Sequence, residues 1–387
     1  MQLTCQLLIT ALAVLSFVSG HPATRKATPP PGALGESPII SHDRFTIVHE
    51  ASVPLLALTQ QIFGAIAAAW SDLINGAGST EKTEHYRPTS NPSPSKLNST
   101  DVSSPVWVIY GDSDNGGATG IPDDPYADLA GYTHYNIAFY TIDAGAQDNA
   151  GLWARTDSST QAHYKSVYND AGIKLMVSAF GATDHPQSSG RSAESVATEL
   201  ADFVKNNNLD GIDIDYEEID LFGSGQSLPW LVALQTSLRK QLPSPQYVIS
   251  HAPLAPWFSW TTYSDGGYSA FDDQIGNTVD WYNVQFYNQG LYEDCNGLLF
   301  NSGGFAPDTS LFQINSLGGV PLSRLVVGKP ATAQDADEGG SGYMSPSDLG
   351  SCLAQAKAKG YNAGLMYYEY PHATASKLAT VKSQSGL

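Results

Sequence analysis

Beyond residue 105, short runs of large apolar side chains take turns with helical patterns almost to the end of the chain. Eight runs have the length and alternation of strands: Val106–Tyr110, Tyr135–Ile142, Lys174–Phe180, Gly211–Glu217, Tyr247–His251, Trp281–Tyr287, Leu325–Lys329 and Gly364–Tyr368. Apolar residues at three- to four-residue steps predict helices between several of them, most clearly over Ala193–Asn206, Trp230–Gln241 and Pro346–Lys359. The first and fifth crossovers carry weaker helical patterns. Strand and helix alternating eight times within about 280 residues is the order and size of a (β/α)8 TIM barrel, an α/β fold built around one core. Residues 105–387 are therefore expected to form a single barrel domain.

The first hundred residues read differently. An apolar run, Leu7–Val18, followed by Val18-Ser19-Gly20 resembles a secretory signal peptide over residues 1–20, although the usual positive charge before the run is missing. Residues 21–104 are a Pro/Ser-rich linker region, interrupted by an apolar stripe (Leu55, Leu58, Ile62, Ile66, Trp70, Leu73) that predicts one amphipathic helix at about 52–75. Asn98-Ser99-Thr100 is an acceptor sequon for N-glycosylation in that polar stretch. The C-terminus is too polar for a lipid-anchor signal. The expected location is outside the cell, free or bound to the cell wall.

Composition narrows the partners. With 19 Lys and Arg against 38 Asp and Glu, the chain carries a net charge of −19, which argues against nucleic acid or an anionic membrane as partner. A neutral polymer remains compatible. Of the three cysteines, Cys5 leaves with the signal peptide, and Cys295 and Cys352 remain as either one disulfide or two buried thiols. We expect a monomer that uses no cofactor and no metal.

The chemistry concentrates at residues 209–217, Leu-Asp-Gly-Ile-Asp-Ile-Asp-Tyr-Glu. On a strand, Asp213, Asp215 and Glu217 share one face, roughly 6–7 Å apart, while Ile212, Ile214 and Tyr216 take the other. Like charges that close in a partly desolvated cleft cannot all ionise, so at least one pKa must rise, which suits a general acid near neutral pH. Glu217 would lie at the C-terminal end of the fourth strand, the face on which barrel active sites are built. Asp210, of opposite parity, reads as structural. A calcium loop is disfavoured, since the intervening residues are Ile and Tyr rather than polar residues and a turn glycine. His251 reads as a satisfied barrel residue and His185 as a loop residue; neither has a partner at metal-site or triad spacing. Among the aromatics near strand ends, Tyr110, Phe139, Trp257, Tyr287 and Tyr368 would offer faces to a ligand, with core packing as the alternative for each.

Asp210-Gly211-Ile212-Asp213-Ile214-Asp215-Tyr216-Glu217 resembles the DxxDxDxE signature of glycoside hydrolase family 18, and the similarity extends over residues 105–370, nearest to the class III (plant and fungal) chitinases. Asn136-Ile137-Ala138-Phe139, Val284-Gln285-Phe286-Tyr287-Asn288, Gly328-Lys329-Pro330-Ala331 and Gly364-Leu365-Met366 share in it. The resemblance implies a secreted hydrolase acting on chitin or another N-acetylglucosamine oligosaccharide by a substrate-assisted, retaining mechanism. It implies Glu217 as the acid, Asp215 as the group holding the 2-acetamido N–H, Asp213 as a partner sharing the Asp215 proton, and Tyr287 as hydroxyl donor to the acetamido carbonyl. Gln285 and Asn288 then read as sugar contacts or as loop hydrogen bonds.

Two departures stand out. Where the family has SxGG at the third strand, this chain has Ser178-Ala179-Phe180-Gly181, which puts bulk between Ser178 and Gly181 at the expected sugar floor. Tyr368 stands where the family commonly has a Trp under the cleaved sugar. Two other functions stay open at this stage: a chitin-binding lectin on the same barrel, and an endo-β-N-acetylglucosaminidase acting on N-glycans.

Overall fold

The computed structural model describes residues 105–113, 116–337 and 339–387. The expected signal peptide, linker, helix at 52–75 and sequon at Asn98 lie outside those residues.

Eight parallel strands close into a barrel: β1 Val106–Gly111, β2 His134–Thr141, β3 Lys174–Phe180, β4 Gly211–Asp215, β5 Val248–His251, β6 Trp281–Gln285, β7 Leu325–Pro330 and β8 Gly364–Tyr370. Each pairs with the next, and β1 pairs with both β2 and β8, which completes the ring. A two-residue strand, Gly145–Ala146, adds antiparallel to the end of β2. The strand-to-helix pattern places α1 Asp148–Arg155 and α2 Ser158–Asp170 after β2, α3 Ala193–Asn206 after β3, α4 Ser227–Gln241 after β4 and α5 Gly267–Ile275 after β5. After β7 comes α6 Pro346–Lys357, and after β8 comes α7 Ala375–Ser385. The first crossover holds only a 3-10 turn and the four-residue helix Pro125–Asp128.

Local sequence explains these elements. In α3, Val196, Ala197, Leu200, Ala201 and Val204 form a fully buried stripe, and the Ser192 hydroxyl accepts the Ser195 amide at the N-terminus. Ile212 and Ile214 of β4 point outward beneath the helices and are completely buried, leaving Asp213 and Asp215 on the barrel interior. Gly211 opens that strand because a Cβ there would stand 2.0 Å from the Val248 carbonyl oxygen of β5. Asp210, just before it, takes the Leu175 amide at 2.8 Å and pairs with Lys165, a structural anchor as its parity suggested.

Two strands end earlier than their hydrophobic pattern. β4 stops at Asp215 and β6 at Gln285, so Glu217 and Tyr287 lie just past the ladder. Cys295 and Cys352 form a disulfide with Cα atoms 5.2 Å apart, which ties the loop after β6 to α6.

Candidate active site

The barrel's fourth strand carries its acids into three different surroundings. Asp213, the innermost, is completely buried and accepts four hydrogen bonds: Tyr110 Oη at 2.6 Å and Ser178 Oγ at 3.0 Å on Oδ2, Ser250 Oγ at 2.6 Å and Asn283 Nδ2 at 2.9 Å on Oδ1. Ser178 and Ser250 are its register partners on β3 and β5, so one barrel layer is devoted to holding this carboxylate. Burial raises its pKa, and the four hydrogen bonds pull it back. All its acceptor positions are spent on neutral donors.

Asp215, one layer up, is hydrogen-bonded to Glu217 and accepts Gln285 Nε2 on Oδ1 at 2.9 Å. Its pKa rises well above the carboxylate range, first through burial, then through repulsion from Glu217 and Asp213. The Glu217 pKa is raised by burial and partly offset by its bonds to Gln285 (3.2 Å) and Asp215. Two carboxyl groups in contact and partly desolvated hold one proton between them. The Gln285 amide, also bonded to the Ala252 carbonyl at 2.8 Å, fixes both heads at once.

Asp215, Glu217, Gln285 and Tyr287 open on one cleft of about 910 Å³ at the C-terminal end of the barrel. Burial, and then the nearby Asp215 and Glu217, push the Tyr287 phenol well up, which keeps it a protonated donor. Phe139, Gly181 and Tyr368 line the same cleft. Gly181 adopts φ +80°, and a Cβ there would meet the Phe139 ring at 3.3 Å, so the glycine leaves room for that aromatic. The Tyr368 hydroxyl donates to Asp112 Oδ2 at 3.0 Å.

Two expected ligand contacts sit elsewhere, and others meet the cleft only in part. Tyr110 is 2% exposed and Ser178 fully buried; both lie under the cleft, where their hydroxyls serve Asp213. Trp257 lines the cleft but is only 2% exposed, with one face covered by the Phe222 ring stacked 3.9 Å away. Asn288 does line the cleft, and its side-chain oxygen accepts the Asp337 amide at 2.9 Å, a bond between two lining loops. Phe180 is among the residues that line the cleft, but its backbone turns to φ +85° and its buried ring packs near Trp230 of α4. Strand parity fails at that residue for this reason. In this structure Asp215 is bonded to Glu217, while Asp213 accepts Tyr110, Ser178, Ser250 and Asn283. His251 is buried and bonded to Tyr268 and Gln235, and burial lowers its pKa to about 3.

Sequence reading missed an acidic rim. Asp112, Asp335, Asp337 and Glu369 line the cleft, and no Lys or Arg is among the described residues that do. The Glu369 pKa is pushed up to about 8 by burial and by Asp112 and Asp335. Asp112 and Glu369 were findable, since each lies at the C-terminal end of a barrel strand, where functional residues gather. Asp335 closes a capping box with Thr332 on a short 3-10 turn, a local signal that says nothing of the cleft, and Asp337 carries no pattern. Ile219 and Phe305, 61% and 63% exposed, add apolar faces to the same cleft. Among the described residues, no group of His, Cys, Asp and Glu is arranged to hold a metal ion, and no helix is long and apolar enough to cross a membrane.

Comparison with known proteins agrees with this geometry. Residues 106–385 match the family described as "Glycosyl hydrolases family 18". "Endochitinase 4" of Metarhizium anisopliae is 29% identical over 244 residues, covering 57% of this chain and 83% of that protein. "Endochitinase 37" of Trichoderma harzianum is 28% identical over 274 residues, covering 63% and 78%. Among solved structures, a GH18 chitinase from Pseudoalteromonas aurantia superposes with a TM-score of 0.59 at 25% identity, covering 72% of this chain and 99% of that one.

Proposed function

Since the chain belongs to glycosyl hydrolase family 18 and is a chitinase-type glycoside hydrolase, we propose that it is secreted and cleaves β-1,4 N-acetylglucosamine linkages in chitin with retention at the anomeric carbon. The observation that carries this reading is the convergence of Asp215, Glu217, Gln285 and the Tyr287 phenol on one cleft.

The substrate supplies its own nucleophile. Tyr287 donates to the carbonyl oxygen of the 2-acetamido group and holds it beneath the anomeric carbon. Glu217 passes the proton it shares with Asp215 to the glycosidic oxygen; the bond to the anomeric carbon breaks as the acetamido oxygen forms its own, giving an oxazolinium ion. Both carboxylates are then ionised, with Asp215 accepting the acetamido N–H and countering the positive charge. Glu217 next takes a proton from the water that attacks the anomeric carbon, the bond from that carbon to the acetamido oxygen breaks to restore the 2-acetamido group, and the pair regains its proton. Asp213 does not move in this scheme. Saturated by four donors, it is a fixed negative charge beneath Asp215 that favours the protonated pair.

The test compares wild type with Glu217→Gln on chitin oligomers and, in parallel, on a high-mannose glycopeptide, following the product anomer by NMR. Turnover on chitin oligomers is expected to fall at least ~10²-fold in the variant, the usual loss of a general acid, with oligomer binding retained. Cleavage of the glycopeptide alone would assign the chain to N-glycans; binding without cleavage by either protein would make it a lectin.

A further inference from the structure

Lys329, on β7, is completely buried, and its ammonium donates to three backbone carbonyls: Phe286 at 2.9 Å, Tyr292 at 2.5 Å and Gly342 at 2.9 Å. A buried Lys is costly unless every N–H is satisfied. Here all three are, and the acceptors come from two separate loops. Phe286 follows the last residue of β6, Tyr292 lies in the loop beyond it, and Gly342 belongs to the loop after β7.

These carbonyls surround one functional residue. The Phe286 carbonyl belongs to the peptide bond that joins it to Tyr287. Gly342, at φ +88°, packs so tightly that a Cβ would stand 2.4 Å from the Tyr287 Cα. Neighbouring bonds link the same loops: the Asn288 amide donates to the Ser341 carbonyl at 3.1 Å, and the Gly290 amide to Ser341 Oγ at 2.7 Å. Tyr287 has left the strand ladder, so β-pairing does not hold it in place.

We propose that Lys329 is a positioning residue for Tyr287, its ammonium clamping through three carbonyls the two loops that fix the phenol against Asp215 and Glu217. Burial lowers its pKa to about 7, with Glu293 acting in the opposite direction. The clamp needs the ammonium, since a neutral amine has two N–H groups for three carbonyls. No group of Lys329 reaches the cleft, so it acts through Tyr287 and touches no substrate.

The inference rests on the role given to Tyr287 above, and a double-mutant cycle separates the two. Wild type, Lys329→Met, Tyr287→Phe and the double variant are assayed for kcat and KM on chitin oligomers. Lys329→Met is expected to lower kcat on the order of tenfold with little change in KM, a coupling typical of groups within one network. In the Tyr287→Phe background the same change should cost less than about twofold. An equal penalty in both backgrounds would show a general packing role and overturn the proposal. Tyr287→Phe with wild-type turnover would instead sink the role of the phenol, and this inference with it. If Lys329→Met does not fold, Lys329→Gln, which keeps two N–H donors, enters the same cycle. Failure of both to fold assigns Lys329 to the core alone.

Discussion

At the scale of single residues, the site works by giving three identical functional groups three environments. Asp213 is surrounded by donors, Asp215 by carboxylates and burial, and Glu217 faces the cleft. The Asp215–Glu217 pair must carry its proton to act, so activity is present below the pair's raised pKa and lost as pH rises through it. Asp213→Asn removes a negative charge that favours protonation; the alkaline limb of the kcat/KM profile should move to lower pH, and an unmoved limb would mean that Asp213 does not influence the pair. Glu369 gives a stability test with the same sign. Its folded pKa of about 8 lies above that of an exposed glutamate, so its contribution is fully present below the unfolded value and disappears as pH rises through about 8. Glu369→Gln should therefore melt higher than wild type at pH 9 and nearly level with it at pH 4.5, as thermal unfolding at the two values will show.

At the scale of elements, the strands were legible because period-2 burial leaves a clear record, and all eight predicted segments are strands. Their ends were less legible. Glu217 and Tyr287 continue the apolar alternation of β4 and β6, yet the ladder stops two residues earlier in each case. Phe180 kept its parity in sequence and lost it in space through one positive φ. The disulfide closes a 57-residue separation between the loop after β6 and α6, away from the cleft. Replacing both cysteines by Ala should lower stability by about 2–4 kcal/mol in urea unfolding and leave kcat on chitin oligomers unchanged. A matching loss of kcat would mean that the tie also shapes the loop that carries Tyr292.

At the scale of the whole molecule, the chain's net charge of −19 and an acidic cleft predict how substrate arrives. A neutral oligosaccharide is not steered by that field, so kcat/KM should vary by less than about twofold between ~0.01 and ~0.5 M salt. A steep salt dependence would indicate a charged substrate. The sequence by itself determined the barrel, through eight alternations of strand and helix, and the face and order of the acids, through period-2 alternation along one strand. Only the tertiary structure decided which acids share a proton, that Tyr110 and Ser178 serve Asp213, that Trp257 is covered by Phe222, and that Asp112, Asp335, Asp337 and Glu369 meet in one cleft. Those relations join residues up to 257 positions apart, such as Asp112 and Glu369. Burial and repulsion depend on distances set by barrel closure, which no local pattern encodes.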